Sequence, residues 1–313
     1  MQKPKASLIY IDPSYHHFLN NGLFKLSDLQ LNRDNQLLPF IRMKMAVEAS
    51  GGQVQTADFL SKTNDLSIAE YYSLGLDDRF ETVLSNHQAS LEAFVIMEPP
   101  IVAPHLYAQL PRLTQIFKRV YLHNIEGDGY SLDNVDISKL RRLFWPLPYP
   151  GVLEPQWSET NRLNRAIVVN GNHKAWGKSA ELYSVRIAAM VELVSHNCLD
   201  LYGMGWDKWW DSRSFWPPYF LNFKTLMSIY KGQCASKYEV MSRYDFSICI
   251  ENMQMKGYIS EKIFDCFYAG TIPMYFGAPD ISTYIPQDTS VRLLKKQILI
   301  IVYKTTPCSY FPV

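Results

Sequence analysis

The chain lacks a surplus of charge of either sign. Its 313 residues include 31 Lys and Arg against 30 Asp and Glu, which leaves a formal net charge of +1. A protein that is drawn to nucleic acid by its overall field carries a clear excess of basic residues. We therefore expect no nucleic-acid partner, and any anionic ligand must be bound by a local cluster of positive groups.

Cysteine is scarce and has no regular spacing. The chain contains five cysteines, an odd number, and no two of them are spaced as Cys-x-x-Cys. Disulfide-stapled secreted domains and zinc ribbons depend on regularly paired cysteines. The pattern argues against both kinds of scaffold and favours a reducing compartment.

Long hydrophobic runs are missing as well. No stretch approaches the roughly 18 apolar residues of a membrane-spanning helix. The apolar stretch nearest the N-terminus runs only from Leu8 to Ile11, which is too short for a signal peptide or an anchor. We expect a cytoplasmic location of the kind found for bacterial enzymes, and peripheral association with the inner face of a membrane stays open.

Apolar residues are nevertheless frequent enough to build buried cores, at 47% of the chain with 14% aromatic. Short apolar runs alternate with amphipathic stretches. Leu38 to Ala49 has a pattern typical of a helix, and Ala93 to Met97 and Leu199 to Tyr202 have patterns typical of strands. This alternation predicts an α/β protein with mainly parallel sheets, which bind ligands at the carboxyl ends of their strands.

A cluster of prolines divides the chain. Four of them, Pro146, Pro148, Pro150 and Pro155, fall within ten residues. Proline fixes φ and has no backbone N–H to donate, so this stretch is neither a helix interior nor a central strand. It predicts an interdomain linker at 146–162 between domains 1–150 and 151–313, and a long surface loop within one domain is the alternative.

The segment from Tyr244 to Pro286 carries the strongest chemical signal. A predicted strand ends at Glu251 and Asn252, and Ser260 is a good N-cap for the helix that follows. Lys262 then lies in the first turn, where free N–H groups and the helix dipole already favour an anion. The segment predicts a phosphate site, and a capped surface helix with solvated charges is the alternative.

This segment resembles the signature region of the α1,3/4-fucosyltransferases, glycosyltransferase family 10. The matching residues are Ile250-Glu251-Asn252, Tyr258-Ile259-Ser260-Glu261-Lys262, Ala269-Gly270-Thr271-Ile272-Pro273 and Gly277-Ala278-Pro279, with Ile250 in place of the usual Phe. Weaker similarities occur at Glu181 to Arg186, at Asp200 to Trp206 and at Met97 to Pro100. Residues 291–313 match nothing in the family.

The resemblance implies a GT-B fold of two facing Rossmann-like domains. It implies an inverting enzyme with GDP-fucose as donor substrate, bound in the C-terminal domain, and no tightly bound cofactor. The acceptor would be a hydroxyl of a GlcNAc- or glucose-containing oligosaccharide or glycoconjugate, in α1,3 or α1,4 linkage. An inactive sugar-nucleotide binder and a GT-B transferase using another nucleotide sugar are the alternatives.

The chemistry of such a transfer sets requirements of its own. The attacking hydroxyl must lose a proton to a nearby carboxylate, and the departing diphosphate must be stabilised by a metal or by fixed positive groups. Because the chain has no Asp-x-Asp motif, we expect no obligatory metal and assign the diphosphate to Arg186, as a bidentate fork, and Lys262. Glu98 is the candidate general base, and Glu92 is the second candidate. The alternative interpretation of Glu98 is a carboxylate at the surface end of a strand with no catalytic role.

Four further residues are assigned to donor binding. Asn252 would hydrogen-bond the donor or orient its loop, and Tyr258 would offer a stacking face and a hydroxyl. Glu261 would accept hydrogen bonds from ribose or fucose hydroxyls, and Glu251 completes the group. Outside this set, core or interdomain packing is favoured over a sugar-binding platform for the tryptophans at 206, 209, 210 and 216. For Lys174, a plain βα loop is favoured over phosphate binding.

Overall fold

The computed structural model describes residues 8–28, 30–62, 69–75, 79–86, 89–144, 161–174, 180–210, 212, 215–286, 289 and 291–292. The chain divides into two compact units, Met1–Tyr149 and Pro150–Val313. The division falls within one residue of the predicted domain boundary. Most of the predicted linker and nearly all of residues 291–313 lie outside the described residues.

The first unit contains a six-stranded parallel sheet with helices between its strands. The strands are β1 (Leu8–Asp12), β2 (Gln53–Thr56), β3 (Ala69–Ser73), β4 (Ser90–Val95), β5 (Arg119–Leu122) and β6 (Leu140–Arg142), and the helices are α1 (Leu38–Ala49), α2 (Phe80–Ser85), α3 (Pro104–Ala108) and α4 (Leu110–Ile116). The strand order is β2-β1-β3-β4-β5-β6, and every pairing is parallel.

The second unit contains a five-stranded parallel sheet. Its strands are β7 (Leu163–Val169), β8 (Leu199–Tyr202), β9 (Tyr244–Ile250), β10 (Ile272–Phe276) and β11 (Val291–Arg292), and its helices are α5 (Tyr183–Val194), α6 (Pro217–Phe220), α7 (Phe223–Ile229), α8 (Lys237–Met241) and α9 (Glu261–Ala269). The order is β11-β10-β9-β7-β8, again with parallel pairings throughout. The prediction of an α/β protein with parallel sheets is confirmed.

Both faces of the second sheet are buried, which explains its continuous apolar strands. Ala166 and Val168 of β7 pack with α5, α6 and α7, whereas Ile167 between them packs with α8 and α9. Successive side chains of a strand point to opposite faces, so a sheet covered on both sides needs apolar residues at consecutive positions. This leaves the ends of the strands as the places where polar groups gather.

The helix α9 begins and ends with residues suited to those positions. Ser260 has extended backbone angles and its side chain accepts from the N–H of Lys262, while Gly270 closes the helix in the left-handed conformation at φ 65°. A serine N-cap satisfies one of the otherwise unpaired N–H groups, and glycine adopts positive φ without steric cost. The local sequence therefore fixes where the positive end of this helix lies.

Candidate functional site

The centre of the candidate site is Glu251, the residue directly after β9. Its side chain is fully buried, at 0% exposure. Its main-chain N–H donates to the carbonyl of Phe276 at 2.9 Å, so β10 fixes its position. Its carboxylate accepts from the main-chain N–H of Ser260 at 2.9 Å and from the Ser260 hydroxyl at 2.6 Å. Glu251 therefore ties the start of α9 to the carboxyl end of the sheet.

Lys262 lies in the first turn of α9 and contacts the same carboxylate. Its Nζ lies 3.3 Å from Oε2 of Glu251, 2.9 Å from Oγ of Ser260 and 3.7 Å from Oε1 of Glu261. The lysine side chain is only 13% exposed. An ammonium beside a helix N-terminus is suited to bind an anion, because the helix dipole and the free N–H groups there also favour negative charge.

Arg186, on α5, approaches Glu251 from the other side. Its Nη2 donates to the carbonyls of Ile250 and Glu251, the latter at 3.0 Å, and to Oδ1 of Asn252 at 3.3 Å. The residue is 3% exposed. Burial lowers the pKa of Arg186 from its ordinary value, although the nearby side chains of Tyr183 and Glu251 act in the opposite direction.

The two predicted cations therefore meet at one residue. Arg186 binds the main-chain oxygen of Glu251, and Lys262 binds its carboxylate. The Nη2 of Arg186 is engaged by three protein oxygens, whereas its Nε has no partner within the described part of the chain. The bidentate fork from Arg186 to a diphosphate stays a prediction. That both groups bind a diphosphate stays a prediction.

Asn252 and Tyr258, both in the loop between β9 and α9, differ in how well they fit their predicted roles. Asn252 is half-buried, and its carbonyl accepts from the N–H of Leu182 while its side chain accepts from Arg186. This arrangement fits the orienting role proposed for it. Tyr258 is 1% exposed, so its ring offers no open face for stacking on a ligand in this structure.

Glu261 is the most accessible acidic group of the site, at 33% exposure of its side chain. Burial alone would raise its pKa, but the positive charges of Lys262 and Lys237 outweigh this and lower the pKa of Glu261 to about 2. The group is thus a carboxylate at neutral pH and can only accept hydrogen bonds. This is the property needed to bind sugar hydroxyls.

Glu98 belongs to the first unit. The predicted strand Ala93 to Met97 is shifted: β4 ends at Val95, and Glu98 lies three residues later, in the loop before Pro99 and Pro100. Proline cannot donate to a sheet ladder, so the chain leaves the sheet here. Glu98 is half-buried, its carbonyl accepts from the Tyr107 hydroxyl at 3.1 Å, and its charge raises the pKa of both Tyr15 and Tyr107 beyond the effect of their burial.

The second candidate base, Glu92, lies in a different setting. It is the third residue of β4, away from the carboxyl end, and its carboxylate is paired with Lys118. That ion pair lowers the pKa of Glu92, although burial opposes it. Of the two carboxylates, Glu98 has the position expected of a base at the ligand edge of a parallel sheet.

Lys237 and Asp265, which sequence reasoning missed, also belong to this region. Lys237 Nζ lies 2.6 Å from Oδ2 of Asp265, and Asp265 follows Glu261 by one helical turn. The four-residue spacing within α9 was a signal that could have suggested Asp265. Nothing in the sequence indicates that Lys237, at the start of α8, would reach it.

The contacts of Lys174 and of the four tryptophans show what these side chains do in the structure. Lys174 donates to the carbonyl of Ser212 at 2.7 Å and so connects two loops. Trp206 is buried in the core and Trp216 packs against it, as predicted. Trp209 and Trp210 lie outside this core, with exposed side chains whose rings contact Phe215. Interdomain packing of these two tryptophans stays a prediction.

The described residues contain no metal-binding cluster and no membrane-spanning helix. No three His, Cys, Asp or Glu side chains among them are grouped so that they could hold a metal ion. None of the helices in the described ranges combines the length and apolar character required to cross a bilayer.

Part of the second unit matches a known protein family. Residues 172–295 match the family model described as glycosyltransferase family 10 (fucosyltransferase) C-term. This range contains the whole Glu251, Ser260 and Lys262 cluster together with Arg186. The match includes residues 291–295, so the expectation that residues 291–313 resemble nothing in the family is wrong for these five. The resemblance to family 10 drawn from the sequence is confirmed, and the match supports a glycosyltransferase.

Curated relatives are similar over short stretches. The chain is 45% identical over 47 residues to the α-(1,3)-fucosyltransferase FucT of Helicobacter pylori, covering 15% of this chain and 10% of that protein. It is 39% identical over 46 residues to an α-(1,4)-fucosyltransferase of Arabidopsis thaliana, covering 15% and 12%. It is 33% identical over 57 residues to GDP-fucose protein O-fucosyltransferase 3 of Gallus gallus, covering 18% and 12%. These matches span about a tenth of the relatives' length.

The fold likeness extends over most of the chain. A crystal structure of α1,3-fucosyltransferase superposes with a TM-score of 0.50, covering 96% of this chain and 78% of that one at 16% identity. At this identity the likeness concerns the fold alone. The predicted GT-B fold class is confirmed.

Proposed function

We propose that this protein is an inverting fucosyltransferase that moves L-fucose from GDP-fucose to a hydroxyl of a GlcNAc- or glucose-containing glycan. The observation that carries the proposal is the convergence of Arg186 and Lys262 on Glu251 at the positive end of α9. The name of the matched O-fucosyltransferase 3 specifies GDP-fucose, which supports the same donor.

The diphosphate of the donor would bind at the N-terminus of α9. Lys262, whose side chain is 13% exposed, would contact a phosphate oxygen directly. Arg186 would act mainly through its charge and through the carbonyls that it holds, since it is almost completely buried. Positive groups fixed before the reaction stabilise the charge that grows on a leaving diphosphate without any rearrangement.

Glu261 would bind hydroxyls of the ribose or of the fucose. It is ionised at neutral pH, partly exposed, and adjacent to the lysine assigned to the phosphate. Asn252 would orient the loop between β9 and α9, because it is bound by Arg186 on one side and Leu182 on the other.

Glu98 would act as the general base. In the transfer, the acceptor oxygen forms a bond to C1 of fucose while the bond from C1 to the phosphate oxygen breaks. The hydroxyl proton passes to the Glu98 carboxylate, and GDP departs with both electrons of the broken bond. Attack from the face opposite the leaving group inverts C1, and no metal ion enters this scheme.

The test is release of GDP from GDP-fucose with and without a panel of oligosaccharide acceptors. We expect release that increases when a GlcNAc- or glucose-containing acceptor is present. GDP binding without acceptor-dependent release would favour the inactive binder, and faster release from another nucleotide sugar would favour a different donor. The cytoplasmic location and peripheral membrane association remain predictions from the sequence.

Replacing Lys262 tests the proposed diphosphate contact. We expect Lys262→Ala to weaken GDP binding by about tenfold to a hundredfold, because it removes a charge-assisted hydrogen bond and the nearest positive charge. Isothermal titration calorimetry measures the effect. Lys224→Ala, at an exposed lysine of α7, is the control and should bind GDP like the unaltered protein. Equal affinity of both variants would contradict the assignment of Lys262.

A further inference from the structure

Lys237 belongs to a line of alternating charges that runs along α9. The line begins at Glu251 with Lys262 at 3.3 Å, continues to Glu261 at 3.7 Å from Lys262, and ends with the pair of Lys237 and Asp265 at 2.6 Å. Asp265 follows Glu261 by four residues, so both project from the same face of the helix. The ammonium of Lys237 therefore lies beside the face that carries Glu261.

The Lys237–Asp265 pair is largely removed from solvent. The side chains of Lys237 and Asp265 are 21% and 9% exposed. Lys237 also lies over the ring of Tyr238, with Nζ 5.8 Å from the ring centre. A cation held in this way keeps its place when charges around it change, unlike a lysine on a solvated surface.

Donor binding places conflicting demands on Lys262. This lysine contacts two carboxylates, those of Glu251 and Glu261, and the proposed function requires it to contact a diphosphate as well. When Lys262 turns to the phosphate, Glu251 keeps the N–H and O–H groups of Ser260. Glu261, however, would then be an ionised group close to a ligand of the same sign, and like charges at short distance repel.

We propose that Lys237 is a positioning residue for the donor: it neutralises Glu261 while Lys262 engages the diphosphate, and Asp265 holds Lys237 in place for this purpose. The inference rests on the proposed function and deepens it, because it explains how one lysine can be released from two carboxylates without leaving an uncompensated charge.

The pKa directions of the acidic partners agree with this arrangement. Lys237 and Lys262 both contribute to lowering the pKa of Glu261, against the effect of its burial. Burial and the nearby charge of Glu261 raise the pKa of Asp265 to about 6, although Lys237 opposes this. Lys237 therefore contacts Asp265 directly, and its positive charge also lowers the pKa of Glu261.

The first experiment compares GDP binding by calorimetry in four proteins: the unaltered chain, Lys237→Met, Lys237→Arg and Lys231→Met. Lys231 is the matched control, since it also pairs with a buried aspartate, Asp200, at 3.6 Å. We expect Lys237→Met to weaken GDP binding by about tenfold and the other two variants to stay within about threefold. If Lys237→Met binds GDP as tightly as Lys231→Met, the inference is overturned while the proposed function stands.

A second experiment separates the electrostatic role from a structural one. In a Glu261→Gln/Asp265→Leu background neither acidic partner of Lys237 remains, so we expect Lys237→Met to change GDP affinity by less than about twofold there. A loss as large as in the unaltered background would show that Lys237 acts through packing and would overturn the inference. The KM for GDP-fucose should rise with Lys237→Met while kcat changes little.

A third variant covers the case in which Lys237→Met alone fails to fold with Asp265 unpaired. Lys237→Met/Asp265→Leu replaces the whole pair by apolar groups, which proteins often tolerate. We expect this folded variant to bind GDP about fivefold or more weakly than the unaltered chain. Unaltered affinity would overturn the inference, and failure of the unaltered chain itself to bind GDP would refute the proposed function.

Discussion

The carboxylate of Glu251 has no exposed surface, yet four donors of the site depend on this residue. Ser260 provides two of them and Lys262 a third, all at the carboxylate, while Arg186 binds the main-chain oxygen. A buried carboxylate is stable only when its acceptor sites are filled. We infer that Glu251 contributes to binding of the sugar nucleotide indirectly, by holding Lys262 and Ser260 in position.

At the same scale, Glu98 is expected to govern chemistry and not donor affinity. Glu98→Gln removes the proton acceptor but keeps the size of the side chain, so we expect transfer to slow by about 10²- to 10⁴-fold. GDP affinity should not change. Steady-state kinetics and calorimetry on the same preparation measure the two effects.

Glu92→Gln is the natural control for that variant, because Glu92 is a carboxylate within β4 and Glu98 lies three residues after the same strand. Glu92 is paired with Lys118 within the strand, so its replacement should leave transfer near normal. Normal turnover by Glu98→Gln, or a comparable loss in both variants, would show that the base is another group.

Among the elements, α9 links fold and site most directly. Its N-cap, its first-turn lysine and its buried Asp265 all contact groups outside the helix, whereas Ile263 and Cys266 pack it against the sheet. The packing holds the helix in place, and the cap determines where its positive end begins. A change at the cap should therefore alter stability and ligand binding together.

Ser260→Ala tests this link. Loss of an N-cap costs about 1 kcal/mol of unfolding free energy, and here the Glu251 carboxylate also loses a donor. We expect lower stability in urea denaturation together with GDP binding weaker by about threefold to tenfold. Ser228→Ala in α7, where the hydroxyl donates to the carbonyl of Thr225, should leave GDP binding unchanged. A stability loss without weaker binding would separate the cap from the site.

On the scale of the whole molecule, the chain consists of two units of similar design, each with a parallel sheet. All of the residues proposed to bind the donor lie in the second unit, and Glu98 lies in the first. We therefore propose that donor affinity is a property of the second unit, with transfer requiring both.

Thermal unfolding in the presence of nucleotide checks whether the diphosphate, assigned to the second unit, dominates donor binding. A ligand at about 100 times its Kd stabilises the state that binds it by about 2.7 kcal/mol. We expect excess GDP to raise the Tm of the intact chain and GMP, which lacks the second phosphate, to raise it much less. Equal shifts with both nucleotides would indicate that the base or ribose, and not the diphosphate, dominates binding.

Much of the second unit could be predicted from the sequence because its signals are local. The strand Leu199 to Tyr202 and the cap at Ser260 follow from neighbouring residues alone. The Lys237–Asp265 pair could not be predicted, since it depends on how α8 packs against α9. The same holds for the almost complete burial of Arg186, because a sequence pattern indicates which helix face is apolar and not how deeply a long polar side chain is covered.

The turn after β10 passes very close to the residue at the centre of the site. A Cβ atom added at Gly277 would lie 2.4 Å from Cγ of Glu251 and 2.6 Å from the Tyr275 hydroxyl oxygen. There is therefore no room for a methyl group, and the backbone of Gly277 packs directly against the side chain of Glu251. A side chain introduced at Gly277 would therefore push the Glu251 carboxylate out of place and, through it, shift the ammonium of Lys262.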